Sequence, residues 1–187
     1  MSMSCRRLCS RSHAFTYSLS EARSEQVRGG KVVELDQWTN RDDPVGSCLP
    51  LGIPRQGPPA RIFHTENDIS MIYRGGVDGA GGYAEFRMIS LDGKPHDPRR
   101  AAQYTYMGYT VGRWEGDTLV LDSIGFTDET WLGRGGWFHS DQMRVVERFT
   151  RTGNQMLYEV TVEDPTVYTR PWTAQVEMKK KMMTWLA

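Results

Sequence analysis

The sequence predicts an all-β fold, an antiparallel meander closed into a lipocalin-like β-barrel, with a β-sandwich as the rival arrangement. Three observations carry that expectation. Short segments of alternating apolar residues recur between turn signals, 19 glycines and 9 prolines punctuate 187 residues, and no convincing amphipathic helix separates the segments. Closing the sheet removes exposed strand edges, which favours a barrel. No internal repeat of about 20 to 50 residues is evident, which argues against a propeller or solenoid.

Taken in order, residues 1–35 form a flexible N-terminal arm, rich in Ser, Arg and Gly and lacking periodicity. A single β-barrel domain is expected over 36–178, opening with a strap at 36–60 that holds five prolines and so excludes long regular elements. RIFHTENDISMIYR predicts a hairpin turning at Glu66, Asn67 and Asp68, and YAEFRMISLDGKPHD a strand closed by Asp92 and Gly93. GGVDGAGG, between them, reads as a flexible loop. MGYTVGRW and DTLVLDSIGF form the next hairpin, joined at Glu115 and Gly116. After a tryptophan-rich loop, MRVVERFTR and QMLYEVTVED pair about Thr152, Gly153 and Asn154. Residues 179–187 are read as a solvated C-terminal tail.

Side chains alternate across a strand, so facing can be counted. Met143, Val145, Glu147 and Phe149 share the more apolar face of their strand, which places the Glu147 carboxyl inside together with Tyr158 of the partner strand. In the preceding hairpin a two-residue loop puts Tyr109, Val111 and Arg113 on one face with Val120, Asp122 and Ile124. Both faces of that hairpin are mixed, so alternation leaves open whether Asp122 lines the hollow or is a solvated strand residue. An enclosed carboxyl has its pKa raised, which suits a general acid or base, and it needs a counter-charge that Arg87 or Arg113 can supply. The plainer account of the same residues is a structural ion pair.

His96 follows the DGKP turn and His139 ends GRGGWFHSD, placing both at strand ends where a barrel mouth would lie and where they could relay protons. Trp131, Trp137 and Phe138 in that loop, with Tyr168 and Trp172 in VYTRPWT, are expected either to stack on a flat apolar ligand or to plug the barrel. No metal site and no organic cofactor is expected, because HExxH, GxGxxG, Walker and GxSxG patterns are absent. Zero net charge without a basic patch speaks against nucleic acid. Cys5, Cys9 and Cys48 form neither a disulfide framework nor a zinc spacing. No apolar run of about 20 residues predicts a membrane span, and no signal-peptide core is present, so the chain as written reads as cytoplasmic.

DPVGSCLPLGIPRQ, LDGKPHD, MGYTVGRWEGDTLVLDSIGFTDETWL, HSDQMRVVERF and VTVEDPTVYTRPWT together resemble a large, mostly uncharacterised group of bacterial β-rich proteins. That group carries MGYSxGRWEGDTLVVDTxGFxDxTWLD followed by PHSExLxVVERxxR. The resemblance covers roughly residues 40 to 175, with five motifs in order. It implies a β-rich domain. Many relatives look exported and continue past PWT with a further strand and a Cys-His segment, where this chain ends in MKKKMMTWLA.

The functional expectation is a cofactor-independent lyase, isomerase or hydratase acting by acid-base catalysis on a small aromatic or apolar molecule in the barrel cavity. Asp122 or Glu147 would move the proton, Tyr109 or Tyr158 donate a hydrogen bond, and Arg87 or Arg113 steady the developing anion. The alternative is a non-catalytic lipocalin-like binding protein for an apolar ligand. A homodimer is kept open.

Overall fold

The computed structural model describes residues 27–28, 31–32, 42–73, 85–133 and 136–179. A short pairing of β1 (Val27–Arg28) with β2 (Lys31–Val32) is the described part of the N-terminal arm. The rest of that arm, the glycine-rich loop at 75–82 and the tail beyond residue 179 lie outside the described residues.

Eight strands form one sheet in the order β12-β11-β10-β7-β6-β5-β4-β3. They are β3 (Arg61–His64), β4 (Asp68–Ile72), β5 (Phe86–Ser90), β6 (Tyr109–Glu115), β7 (Thr118–Ile124), β10 (Arg144–Thr152), β11 (Gln155–Glu163) and β12 (Trp172–Lys179). A separate pair, β8 (Trp131–Gly133) and β9 (Trp137–Phe138), interrupts the path from β7 to β10. The β6–β7 turn falls at 116–117 rather than 115–116, because Glu115 pairs with Thr118; the expected face-sharing is retained, since Val111 opposes Asp122. β12 was not foreseen as a strand, although its alternation of Trp172, Ala174, Val176 and Met178 against polar residues carries the signal.

Every neighbouring pair in the large sheet is antiparallel except β5 and β6, which run parallel and are joined at Ser90 and Val111 alone. The meander is thereby broken. Asp92 and Gly93 do not turn the chain into a hairpin; it passes through α1 (Pro98–Ala101), capped by the Asp97 side chain, and re-enters in the same direction. A parallel junction needs a crossover of about a dozen residues or more, which the stretch 91–108 provides.

Strands lie about 4.8 Å apart, so β3 and β6 would stand roughly 14 Å apart in a flat sheet. The rings of His64 and Trp114, one on each, are 5.6 Å apart. The sheet is therefore curled into a half-barrel, with β3 and β12 as its edges among the described residues. Among the described residues no second sheet of comparable size faces it, unlike a β-sandwich. The concave side carries the core: Met71, Tyr73, Ile89, Leu121, Val145, Phe149, Tyr158 and Val160, covered by Ile53 of the strap, by Trp131, Leu132 and Phe138, and by Val167 and Tyr168. Gly112 sits on this side because a Cβ there would meet Leu91 at 2.7 Å and Ile89 at 3.0 Å. The strap is pinned by a buried Arg55–Asp43 ion pair at 2.5 Å, and Arg55 also reaches the Trp131 carbonyl.

Candidate functional site: a sealed ion pair beside an open cleft

At the centre of the concave side Arg87 of β5 reaches across β6 and β7 to Glu147 of β10. The contact is bidentate, Nη1 donating to Oε2 at 2.6 Å and Nη2 to Oε1 at 3.0 Å. Tyr158 donates its hydroxyl to Glu147 Oε1 at 3.1 Å, and Arg87 Nε donates to the Tyr73 hydroxyl at 2.9 Å, with Nη2 close to the same oxygen. Thr110 and Ser123 share a hydrogen bond at 2.8 Å and lie at the outer limit of bonding distance from Arg87 Nη1. Glu147 is fully buried and Arg87 is 5 % exposed, so both charges depend wholly on these partners.

Burial by itself would weaken the Arg87 charge, but Glu147 and Tyr73 outweigh it and hold the guanidinium above its ordinary pKa. Burial likewise pushes the Tyr73 phenol well above its usual range. Arg87 stays a cation and Tyr73 a neutral phenol at neutral pH. The arrangement is an internally satisfied network with the geometry of a structural ion pair; Glu147 lines neither of the two clefts described next, whereas Arg87 and Thr110 border the first.

Because β5 and β6 share a single bridge, β5 diverges from the segment 105–110, and a cleft of about 340 Å³ opens between them. Glu85, Phe86, Met88, Arg100, Met107 and Tyr109 contribute to its lining. Glu85 is held by its backbone carbonyl, which accepts from the Tyr73 amide at 2.8 Å. Its side-chain Oε2 is buried without a hydrogen-bond partner among the described residues. Desolvation raises the pKa of this carboxyl. Opposite, the Arg100 guanidinium stacks 4.3 Å from the centroid of Tyr109, whose ring also meets His96 edge-on at 5.5 Å. A second cleft of about 560 Å³ lies at the other end of β6, lined by Trp114, Gly116, Asp117, Arg151 and Gly153.

Asp122 requires correction as a cavity carboxyl. It projects from the convex side, opposite to Glu147, because Val146 and Val111 rather than Glu147 are its ladder partners. Arg144 clamps it through Nε at 2.9 Å and Nη2 at 2.6 Å. Partial burial would raise its pKa, but Arg144 prevails and holds the carboxyl below its ordinary value, the reverse of what proton transfer near neutrality needs. Tyr109 and Arg113 share that convex side; Arg113 pairs in solvent with Glu115, which also takes Arg148, and the two arginines flank the wholly buried Val120.

The histidines are likewise not at a shared mouth. His96 donates Nε2–H to the Asp122 carbonyl at 2.9 Å on the convex side. His139 is 6 % exposed, donating Nδ1–H to the Ser140 carbonyl at 3.2 Å and accepting at Nε2 from Thr130 at 2.8 Å. Burial lowers its pKa, which keeps it neutral. Trp131 and Phe138 pack edge-to-face at 5.4 Å, the Tyr168 hydroxyl donates to the Phe138 carbonyl at 2.8 Å, and Tyr168 meets Trp172 at 6.3 Å. Trp137 packs beside Gly133. These five aromatics join or border the core, and none lines either cleft.

Three residues now prominent were missed in the sequence: Tyr73, Glu85 and Arg100. Glu85 stands two positions before Arg87 and Tyr73 two after Met71, so alternation along those two strands, had their inward faces been counted, carries the signal for both. Arg100 had no such signal, since it comes from a one-turn helix inside a crossover. Among the described residues no three His, Cys, Asp or Glu side chains converge as a metal site, and no helix is long and apolar enough to cross a membrane. No family model, no curated protein and no solved structure matches this chain.

Proposed function

We propose that the protein binds a small, largely apolar molecule in the cleft between β5 and the 105–110 segment, with Glu85 as the polar anchor. The buried, unpartnered Oε2 of Glu85 carries this reading. A carboxyl oxygen removed from water without a partner costs free energy that a ligand hydrogen bond offsets. Its surroundings suit such a ligand: Phe86, Met88 and Met107 offer apolar surface, and a volume of about 340 Å³ is at the small end of ligand sites. In this reading the half-barrel is a lipocalin-like scaffold whose site lies at the seam of the sheet, not in its centre.

A panel of one-ring and two-ring compounds, followed by melting temperature and calorimetric titration, tests the reading. Ligands that raise the melting temperature of the natural protein should lose at least tenfold in affinity in Glu85→Ala, since a hydrogen bond to a carboxyl contributes about 1.5–3 kcal/mol. Ligands that bind both proteins equally would place the site elsewhere.

The raised pKa of Glu85 favours a second reading, cofactor-independent acid-base catalysis of the lyase, isomerase or hydratase kind, with Glu85 moving the proton. Under that reading a turned-over ligand shows a rate that titrates with Glu85 and vanishes in Glu85→Gln. A ligand bound but never converted leaves the carrier.

A further inference from the structure

We infer that the ligand is a carboxylate-bearing apolar acid, its carboxylate on Arg100 and its hydrocarbon body against Phe86, Met88 and Tyr109. This rests on the cleft being a ligand site. Arg100 is exposed and has no ion-pair partner among the described residues, and its guanidinium carbon sits over the Tyr109 ring at 4.3 Å from the centroid. A guanidinium positioned on an aromatic face keeps its edge donors free for a planar, two-oxygen acceptor.

The other charged groups around the cleft do not cancel it. Arg87 from β5 is consumed by Glu147, and the Tyr106 hydroxyl by Glu129 at 2.7 Å. Helix α1 contributes Arg99 beside Arg100, and His96 meets the Tyr109 ring edge-on at 5.5 Å. Glu85 is the one carboxylate in the lining among the described residues, and burial disfavours its charged form. A protonated Glu85 donates a hydrogen bond where an ionised one would repel an acid, so such a ligand binds more weakly as pH rises through the Glu85 pKa.

Calorimetric titration of the full chain with 3-phenylpropionate, 3-phenylpropanamide and 3-phenylpropylamine tests the assignment. The acid is expected to bind roughly tenfold or more tighter than the amide, as a charge-assisted bond warrants. Arg100→Gln should bring the acid down to the amide, and Glu85→Gln should keep acid binding while flattening its decline with pH. Circular dichroism melting of both variants confirms that they fold. If acid and amide bind alike, the cleft remains a ligand site and the acid preference is wrong. Tightest binding by the amine would show an ionised Glu85 directing recognition and overturn the assignment. Binding of none of the three would overturn both the assignment and the ligand site itself.

Discussion

Glu85 and Arg87 stand two positions apart at the start of one strand, yet their surroundings are opposite in kind. Arg87 points to the centre of the concave side and finds a carboxylate, one phenol and two hydroxyls, while a second phenol, Tyr158, donates to the same carboxylate. Glu85 faces the seam, where β6 has diverged, and one of its oxygens finds nothing among the described residues. Both lose water, but only one regains its hydrogen bonds. A buried charge that is fully partnered holds a fold together, whereas a buried polar atom left without a partner is a place for something else to bind. The contrast separates partnered from unpartnered ionisable groups in a way that burial does not.

The strongest way to break this comparison is Arg87→Leu, which strands Glu147 without a counter-charge. It should cost about 3–5 kcal/mol in urea unfolding, and Arg87→Leu with Glu147→Leu should recover a large part of that loss. A single variant as stable as the natural protein would show that the pair is not structural. Tyr158→Phe removes one hydrogen bond to the buried carboxylate and should cost about 1.5–3 kcal/mol by the same measurement.

Asp122 sharpens the contrast from the convex side. Asp122 is itself buried but its partner Arg144 is half in solvent, so Asp122→Asn should cost about 0.5–1.5 kcal/mol, less at high salt. Its folded pKa lies below the ordinary value of 3.8, so its contribution is present above that value and disappears as acid protonates the folded carboxyl. Glu85 has the opposite sign. Its folded pKa lies above the ordinary 4.5, so the folded state holds the proton more tightly and stability declines as pH rises between the two values. Glu85→Gln should therefore be slightly more stable than the natural protein at pH 7 and lose that advantage below about 4.5. A variant less stable at neutral pH would mean that Glu85 is a partnered carboxylate after all.

The strands were legible wherever alternation and turn chemistry agreed. Val145, Glu147 and Phe149 against Tyr158 and Val160 repeat every second residue, and the chain reverses at Gly153 and Asn154, so register and facing followed together. Glu147 and Tyr158 are placed inside on those grounds, whereas Arg87 enters only as one of two possible counter-charges. The β6–β7 hairpin resisted because both of its sides are buried: Val120 is flanked by Arg113 and Arg148 on the convex side while Leu119 and Leu121 face the core. Alternation tells two faces apart only when one of them is wet. The parallel junction was illegible for another reason, since a single bridge at Ser90 and Val111 leaves almost no pattern in either strand, and the cleft exists because of that junction.

The single bridge has a consequence for how substitutions are felt. Elsewhere the sheet is stitched by main-chain groups that every residue but proline possesses, so sequence there can drift while pairing persists. Across the β5–β6 boundary the stitching is done by named side chains, Arg87 reaching Glu147 and Ile89 and Leu91 nestling over the bare backbone of Gly112. The first three strands of the sheet are thus attached by chemistry that only particular amino acids can supply.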